Sequence, residues 1–375
     1  MKKYIYADNA ATTKLDYDAF EAMKPYMFED YGNVSQPYSF VRKSKKALRE
    51  ARIIIAECIN ANPEEIYFTS GGTESDNWAI NGIISTEYRN QIITSKIEHH
   101  AILNSCKAVE NLGIPVIYMN VNNEGIVQVS ELKNIITNKT KLVSIMYANN
   151  EIGSIQPIKE LCEITHKNGA LFHTDAVQAV GHVKIDVQDL GVDMLSASAH
   201  KFNGPKGIGF LYIKKGIKIL PYINGGSQES SMRAGTVNVA AIVGMAYALK
   251  KNCEHLDINS SHIKALENEF LKQLKTVHNL EFIRNGSNNT LPGNISLSFS
   301  EKNGEVLLHR LDLKGICVST GSACDSTNIQ ISHVLQAIRL NEKFAKGTIR
   351  ISFGKYNTME EVIYIAKEIC RVIKN

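Results

Sequence analysis

The stretch that decides the fold runs from residue 196 to residue 209 and reads Ser196-Ala197-Ser198-Ala199-His200-Lys201-Phe202-Asn203-Gly204-Pro205-Lys206-Gly207-Ile208-Gly209. Small residues lead to Lys201, and a glycine-rich turn follows it. An amine held among small side chains at a strand end can be desolvated, and the lowered pKa lets it form a Schiff base with an aldehyde cofactor. A lysine beside such a turn is more often solvated, as we expect of Lys206. Lys201 is therefore a candidate only if other parts of a cofactor site lie upstream.

Short apolar runs alternate with amphipathic segments on both sides of this stretch, from about residue 65 to 215. The alternation predicts βα units around a mostly parallel sheet, and thus a large α/β domain. Helical patterns cover 44–58 and 158–168, and Gly169 has the position of a helix C-cap. The seven predicted strands cover 66–69, 92–94, 116–119, 142–147, 171–174, 194–196 and 209–213.

The C-terminal part has a different pattern. One long helical pattern runs from Gly235 to about residue 277 and is predicted to bridge two domains. Residues 294–299 and 348–353 alternate apolar with polar side chains, and helical patterns follow at 305–310 and 359–373. These features predict a smaller α+β domain with an antiparallel sheet. We expect residues 14–252 to form the large domain, and residues 1–13 with 253–375 to form the small one.

The composition narrows the functional classes. Of the 375 residues, 44% are apolar and 21% charged, with a formal net charge of +4, as in ordinary globular proteins. Lysine and arginine are scattered, so we expect no direct binding to nucleic acid or to a membrane. The sequence has no 18-residue apolar run and no signal-peptide pattern, which indicates a cytoplasmic protein. The seven cysteines form no Cys-x-x-Cys pair, so we expect reduced thiols and no metal site.

Two upstream motifs suit a phosphorylated ring cofactor. In residues 68–75 a strand passes through two glycines into a helix start, where amides and the Thr73 hydroxyl can bind phosphate. In residues 171–178 Asp175 ends an apolar strand, where it can keep a pyridine nitrogen protonated, and Gln178 can bond a phenolic oxygen. An ordinary N-cap and a turn-capping aspartate are the alternatives. No phosphate-loop or Gly-x-Gly-x-x-Gly motif indicates ATP or NAD.

Four further residues are candidates for chemistry. His99 follows a predicted strand and can lie on a bound ring, and Asn150 would reach the same rim. Cys324 stands in a segment rich in glycine and serine, where a thiol is accessible enough to act as a nucleophile. Arg350 is the lone charge of its strand and can hold a carboxylate with two hydrogen bonds. The alternatives are a solvated histidine, a polar loop and an exposed strand residue.

Taken together, these motifs resemble the class V branch of the pyridoxal-phosphate fold-type I enzymes, and specifically the cysteine desulfurases of the NifS/IscS type. The resemblance covers nearly the whole chain. It rests on Tyr6-Ala7-Asp8-Asn9-Ala10-Ala11-Thr12-Thr13, Thr73-Glu74-Ser75, Asn149-Asn150-Glu151-Ile152-Gly153, His173-Thr174-Asp175-Ala176-Val177-Gln178, Ser198-Ala199-His200-Lys201, Gly204-Pro205-Lys206-Gly207-Ile208-Gly209, Arg233-Ala234-Gly235-Thr236 and Gly321-Ser322-Ala323-Cys324.

The resemblance implies pyridoxal 5'-phosphate as cofactor and L-cysteine as substrate, with L-alanine and a persulfide on Cys324 as products. Lys201 resembles the Schiff-base lysine, and His99 resembles the histidine that stacks on the ring and exchanges protons with thiols. The implied cofactor ligands are Gly72, Thr73, His99, Asn150, Asp175, Gln178, Ser198, His200, Lys201 and Thr236. Substrate binding is implied for Asn33, Asn150 and Arg350.

The resemblance also implies partners. Thr236 is similar to a threonine that binds the phosphate of the neighbouring subunit, which implies a homodimer. A sulfur-acceptor protein is implied as well, with iron–sulfur cluster assembly, tRNA thiolation and DNA sulfur modification as open pathways. The chain departs from the family pattern at Tyr38, where a histidine is usual, and in the polar loop Asp325–Gln330. A selenocysteine lyase, another class V aminotransferase and a non-catalytic scaffold are the alternative functions.

Overall fold

The computed structural model describes residues 4–84, 90–276, 280–321 and 331–374. Every bound given below refers to these ranges. The strands are β1 (Ile5–Tyr6), β2 (Ile66–Thr69), β3 (Gln91–Ser95), β4 (Val116–Met119), β5 (Thr140–Ser144), β6 (Leu171–Asp175), β7 (Met194–Ser198), β8 (Gly209–Ile213), β9 (Phe282–Asn285), β10 (Asn294–Phe299), β11 (Ile316–Cys317) and β12 (Thr348–Ser352).

Helices occupy most of the segments between these strands. They are α1 (Tyr17–Met23), α2 (Pro25–Phe28), α3 (Arg42–Cys58), α4 (Gly72–Asn81), α5 (His100–Glu110), α6 (Val129–Ile135), α7 (Ile158–Lys167), α8 (Val187–Leu190), α9 (Val239–Glu254), α10 (Leu256–Lys275), α11 (Gly304–Leu313), α12 (His333–Ala337), α13 (Glu342–Ala345) and α14 (Met359–Lys374). Short 3-10 turns lie at Ser39–Val41, Pro63–Glu65, Ala199–Lys201 and Gln228–Ser231.

Within the described residues, seven strands form the large sheet in the order β2-β8-β7-β6-β5-β3-β4. Strand β8 is antiparallel to both of its neighbours, and the remaining pairs are parallel. The register places Asp175 opposite Ser196, so the carboxyl ends of β6 and β7 meet at one edge. The mostly parallel seven-stranded sheet predicted from the sequence is confirmed.

Helices cover both faces of this sheet. On one face Val143 and Phe172 join a large apolar core, whereas their neighbours Leu142 and Met194 belong to a second core that contains Trp78. Successive strand residues point to opposite faces, so two apolar faces require strands that are apolar throughout. This is why the strands were recognisable as continuous apolar runs.

The C-terminal part has its own sheet and core. Strands β12, β10 and β9 form an antiparallel sheet in that order, in which Ser296 pairs with Arg350. Strand β1 pairs in parallel with β11, so the N-terminal residues join this region. A core that includes Phe270, Phe299 and Ile365 lies beneath it. The boundaries at residues 13 and 252 stay a prediction.

The long helical pattern after Gly235 is two helices and not one. Helix α9 ends at Glu254 and α10 begins at Leu256, because His255 adopts φ −110° and ψ 19°. Nδ1 of His255 lies 2.9 Å from the carbonyl oxygen of Lys251 and donates to it. The same oxygen accepts from the main-chain amide of His255 at 3.2 Å, so His255 caps the end of α9 with two hydrogen bonds. The apolar periodicity continues across the break, so the sequence pattern did not reveal it.

Candidate active site

A cavity of about 390 Å³ opens where the carboxyl ends of β6 and β7 meet the C-terminal part of the chain. Ligands of open α/β sheets collect at this edge, because the loops after parallel strands converge there. Motifs far apart in the sequence therefore meet at one place. The cavity is lined by ten of the residues expected to form the site, namely Gly72, Thr73, His99, Asn150, Asp175, Gln178, Ser198, His200, Lys201 and Arg350.

Lys201 is presented by the 3-10 turn that follows β7. Its Nζ donates to two main-chain carbonyl oxygens, that of Ala10 at 2.6 Å and that of Ala11 at 3.0 Å. The amide Nε2 of Gln178 also donates to the Ala10 oxygen, at 2.9 Å. The segment that contains Ala10 and Ala11 thus forms one wall of the cavity and holds the amine in place.

Asp175 is the last residue of β6 and its side chain is buried. Its Oδ1 accepts a hydrogen bond from the amide of Val177 at 2.9 Å. Burial raises the pKa of this carboxyl, and the nearby His99 and Lys201 act in the opposite direction. The strand end therefore presents a carboxyl to the cavity, with cationic or proton-donating groups opposite it.

His99 is the N-cap of α5, and its Nδ1 accepts a hydrogen bond from the amide of Ala101 at 3.1 Å. An imidazole nitrogen that accepts carries no proton, so the neutral ring has its proton on Nε2. Burial lowers the pKa of His99 below its usual value. The ring is accordingly neutral at pH 7 and offers a single N–H.

The start of α4 and the end of β7 form a third part of the cavity. A Cβ on Gly72 would lie 2.6 Å from Cγ2 of Val177, so the helix start leaves no room there for a side chain. The amides of a first helical turn are a common site of anion binding. His200 lies beside them, and burial lowers its pKa to about 4. Its Nδ1 is 3.1 Å from the hydroxyl of Thr12.

Arg350 lies on β12 and is buried, which excludes the alternative of an exposed strand residue. Its Nη2 donates to Oδ1 of Asp8 at 2.7 Å, and its Nη1 donates to the carbonyl oxygen of Asn150 at 3.0 Å. Its buried Nε has no hydrogen-bond partner among the described residues. Asp8 was part of a quoted motif but had no predicted role, and the structure shows that it fixes the guanidinium at the cavity.

Two expected site residues that the structure describes, Asn33 and Thr236, do not line the cavity. Asn33 is exposed, and its Oδ1 accepts from the amide of Ser35 at 2.9 Å. Thr236 is also exposed, on the segment before α9. Cys324 and the loop Asp325–Gln330 lie outside the described residues. Tyr38 is exposed and precedes the first 3-10 turn.

The segment before Thr236 is attached to α4 by an ion pair. Arg233 donates from Nε to Oε1 of Glu74 at 2.7 Å, and from Nη2 to Oε2 at 3.0 Å. Both side chains are largely buried, and a two-point contact of this kind fixes orientation as well as distance. The exposed Thr236 is therefore carried by a segment that is tied directly to the helix start at Thr73.

Sequence reasoning missed three buried acids near the cavity. Glu98 is buried with its Oε2 unpartnered among the described residues, and burial raises its pKa to about 8. Burial raises the pKa of Glu151 to about 7, although its Oε2 accepts from the Ser332 hydroxyl at 2.6 Å. Asp76 lines the cavity beside Asp175. Glu151 stands within a motif quoted above, but a single sequence gives no sign that an acid is buried.

No helix in the described ranges is long and apolar enough to cross a membrane. No group of three or more histidine, cysteine, aspartate or glutamate side chains in these ranges is arranged to hold a metal ion.

Known proteins resemble the chain in sequence and in structure. The chain belongs to the aminotransferase class-V family, whose model matches residues 5–365. It is 47% identical to a cysteine desulfurase IscS of Dictyoglomus turgidum, over all of this chain and 95% of that protein. A solved NifS-like protein superposes with a TM-score of 0.93 at 38% identity, over 99% of this chain and all of that one. A solved SspA in complex with cysteine has a TM-score of 0.84 at 36% identity, over 94% and 99% of the two chains.

Proposed function

We propose that this protein is a pyridoxal-phosphate-dependent cysteine desulfurase. It converts L-cysteine to L-alanine and passes the sulfur to an acceptor protein through a persulfide on Cys324. The observation that carries the proposal is that one cavity gathers an amine, a strand-end carboxyl and a buried guanidinium, from Lys201, Asp175 and Arg350. The relatives named cysteine desulfurase, which match the chain over its full length, support the same reaction.

The residues present fit the cofactor. The amides at the start of α4, with Thr73, Ser198 and His200, would hold its phosphate group. Asp175 would hold the ring nitrogen, Gln178 the phenolic oxygen, and Lys201 the aldehyde carbon. The fit is supported by the cavity lining, which contains Gly72, Thr73, Ser198 and His200 together with Asp175 and Lys201. When bound, pyridoxal phosphate would supply an electron sink for the α-carbon of the substrate.

The side chains of this protein would then orient the substrate and move its protons. Arg350 would bind the substrate carboxylate, since Asp8 and the carbonyl of Asn150 already fix its position. Lys201 would remove the proton from the α-carbon and return a proton to the product. His99, held neutral by burial, would exchange the Nε2 proton with the thiol of the substrate.

The sulfur transfer balances without an external oxidant or reductant. The carbon–sulfur bond of L-cysteine breaks and a sulfur–sulfur bond forms on Cys324. Of the two thiol hydrogens, those of the substrate and of the enzyme, one ends on L-alanine and the other on the persulfide. Cysteine plus enzyme thiol thus gives alanine plus enzyme persulfide. The role of Cys324 rests on the resemblance of Gly321-Ser322-Ala323-Cys324 to the family motif.

We propose further that the active form is a homodimer in which Thr236 binds the phosphate of the neighbouring subunit. The exposure of Thr236, on a segment tied to α4 through Arg233 and Glu74, supports this arrangement. A mixed dimer of Lys201→Ala and Thr236→Ala subunits tests it. If Thr236 acts across the interface, one site is intact and binds cofactor with normal affinity. Weak binding at the surviving Lys201 site would mean that Thr236 acts within its own subunit.

The reaction is tested with purified enzyme, pyridoxal phosphate, L-cysteine and a thiol reductant, in the absence of any keto acid. We expect alanine and sulfide in equal amounts. Lys201→Ala should abolish both products, whereas Lys206→Ala, which changes an exposed lysine of the same turn, should leave them unchanged. A requirement for a keto acid would indicate an aminotransferase. Absence of turnover in the wild-type protein with bound cofactor would favour the scaffold alternative.

A further inference from the structure

Asp76 is an acid at the cavity that the proposed reaction does not use. It lies on α4, which packs against β6 and β7, and only 1% of its side chain is exposed. It lines the same cavity as Asp175, and its Oδ1 lies 3.8 Å from Nε2 of His173, which is two positions from Asp175 on the same face of β6. The residue that would hold the cofactor nitrogen therefore has a second buried carboxyl as its immediate neighbour.

Two neighbouring carboxyl groups can form a hydrogen bond only when one of them is protonated. Ionised carboxylates only accept hydrogen bonds, so two ionised groups side by side would repel each other. Burial strengthens the repulsion, because little solvent lies between the charges. The pair must therefore hold one proton and carry one negative charge over the pH range in which it keeps this geometry.

The surroundings of the two groups decide which of them holds the proton. Asp175 accepts from the amide of Val177 at 2.9 Å and has His99 and Lys201 nearby, and all of these favour its ionised form. Asp76 has less support, because its Oδ1 is buried without a hydrogen-bond partner in the described part of the chain. Burial raises its pKa well above the usual value, with the charge of Asp175 as the next cause.

The other groups that face Asp76 do not offset this difference. Nε2 of His173 lies 3.8 Å from Oδ1 of Asp76, but burial lowers the pKa of this histidine to about 3 and keeps it neutral. The ring of His173 is held between two hydroxyl groups, those of Ser144 at 2.9 Å and Ser196 at 3.0 Å. The hydroxyl of Ser196 favours the ionised form of Asp76, and the acidic group of Glu98 acts in the opposite direction.

We propose that Asp76 is a positioning residue that holds the shared proton and uses it to donate a hydrogen bond to the carboxylate of Asp175. The inference rests on the proposed function, because its consequence concerns the bound cofactor. A donated hydrogen bond stabilises the carboxylate of Asp175 and makes it a weaker base. The proton between Asp175 and the ring nitrogen then stays on the nitrogen. The pair of carboxyl groups carries one negative charge, which matches the single positive charge of the protonated ring nitrogen.

Two substitutions separate this role from simple packing. Asp76→Asn keeps an N–H that can donate to Asp175, whereas Asp76→Leu has a similar size and no donor. Asp193→Asn is the control, because Asp193, which directly precedes β7, is another buried aspartate but does not line the cavity. The first readout is carbon-13 NMR titration of the aspartate carboxyls in the full chain without cofactor, with signals assigned by their loss in Asp76→Asn and Asp175→Asn.

In the wild-type protein the carboxyl of Asp76 should stay protonated at pH 7 while that of Asp175 is ionised. The pKa of Asp175 should be nearly unchanged in Asp76→Asn and in the control, and should rise by about one unit in Asp76→Leu, the size expected for one lost hydrogen bond. An ionised Asp76 at pH 7 in the wild type would overturn the proposal, and so would an unchanged Asp175 pKa in Asp76→Leu. The wild-type measurement decides the matter even if Asp76→Leu fails to fold.

The second readout uses the enzyme with bound cofactor. We expect Asp76→Leu to shift the pH dependence of the cofactor absorbance and to lower turnover about tenfold, and Asp76→Asn to restore both. Equal defects in the two variants would overturn the proposal, because a donor would then not matter. The carboxyl titration does not depend on turnover. A failure of the proposed desulfurase reaction can therefore be distinguished from a failure of the proposal for Asp76.

Discussion

Two buried aspartates of this protein, Asp16 and Asp76, have the same exposure and opposite surroundings. Each side chain is only 1% exposed. Asp16, the N-cap of α1, accepts from the ammonium groups of Lys251 at 3.1 Å and Lys355 at 3.0 Å, and from the hydroxyl of Tyr356 at 3.0 Å. The groups that act on Asp76 include the hydroxyl of Ser196 and the carboxyl of Asp175, and its Oδ1 has no hydrogen-bond partner in the described part of the chain. Asp16 is thus held by two ammonium groups, whereas Asp76 lies beside a second acid.

The difference shows that donors, and not burial, decide whether a buried acid is charged. Burial is the largest influence on the pKa of Asp16 and would raise it, but hydrogen bonds from Lys355 and Lys251 together outweigh burial and lower the pKa well below its usual value. At Asp76 burial acts without such opposition, and the pKa rises. Asp16 is therefore a charged link between α1, α9 and the loop after β12, whereas Asp76 holds a proton.

Asp16→Asn gives the largest expected effect. Removing one partner of a buried ion pair leaves the other charge uncompensated, here the largely buried ammonium of Lys355, so the free energy of unfolding should fall by about 3–5 kcal/mol at pH 7. Asp16 has a lowered pKa, so its contribution is present above the unfolded-state pKa and is lost as pH falls through the folded-state value. Urea unfolding at pH 7 checks the size, and a loss below about 1 kcal/mol would contradict the comparison.

Asp175→Asn addresses the other region through activity. A neutral amide cannot stabilise a protonated ring nitrogen, so alanine formation should fall on the order of 100-fold, as when one preorganised electrostatic contact is removed. The free energy of unfolding should change little, because the described residues offer Asp175 no ion pair comparable to that of Asp16 with Lys355. Turnover by the variant saturated with cofactor is the measurement. Activity close to that of the wild type would mean that the strand-end aspartate only caps the turn at Val177.

Glu98→Gln tests whether a third buried acid behaves like Asp76. The folded-state pKa of Glu98 is raised to about 8, so its stabilising effect is fully present below the unfolded-state pKa and is lost as pH rises through the folded value. Between pH 6 and pH 7 the wild type should lose about 1 kcal/mol of stability through this group, and Glu98→Gln should not. Urea unfolding at both pH values compares the two proteins. An equal change in the free energy of unfolding in wild type and variant would contradict a protonated Glu98.

Asp18→Asn has the smallest expected effect. Asp18 pairs with the same Lys251 as Asp16 does, but its side chain is 66% exposed. Exposed ion pairs contribute little, so the free energy of unfolding should change by less than about 1 kcal/mol and should depend on salt. Unfolding in low and high salt makes the comparison with Asp16→Asn direct, since both variants remove a partner of one lysine. A loss as large as that of Asp16→Asn would mean that burial is not what separates them.

The fold was predictable where one physical signal dominates. Strands such as Ile66–Thr69 and Gly209–Ile213 are short apolar runs between turn residues, and the structure places them within these bounds. The strand predicted to reach Tyr147 ends at Ser144 instead, although the amides of Ile145 and Tyr147 still donate to the carbonyl oxygens of His173 and Asp175 on β6. Apolar character predicts burial, but it does not show where a regular strand ends.

The site was less predictable, because its groups depend on contacts between distant residues. The role of Lys201 could be inferred from its neighbours in sequence, but its hydrogen bonds to Ala10 and Ala11 come from the other end of the chain. Asp76, near the start of a helix, has the position of an exposed residue that favours the helix dipole. Only the packing of α4 on β6 brings it to Asp175, and no local pattern contains that information.

The N-terminal wall of the cavity can be completed only late in the synthesis of this protein. Asp8 and Arg350 are 342 positions apart, and the amide of Ala10 donates to the hydroxyl of Ser352 at 2.9 Å. A ribosome that adds about 5–20 residues per second makes these partners tens of seconds apart. The first-made wall must therefore wait for one of the last-made strands. A nascent chain cannot hold the complete pocket, so we expect the cofactor to be captured after translation has passed Ser352.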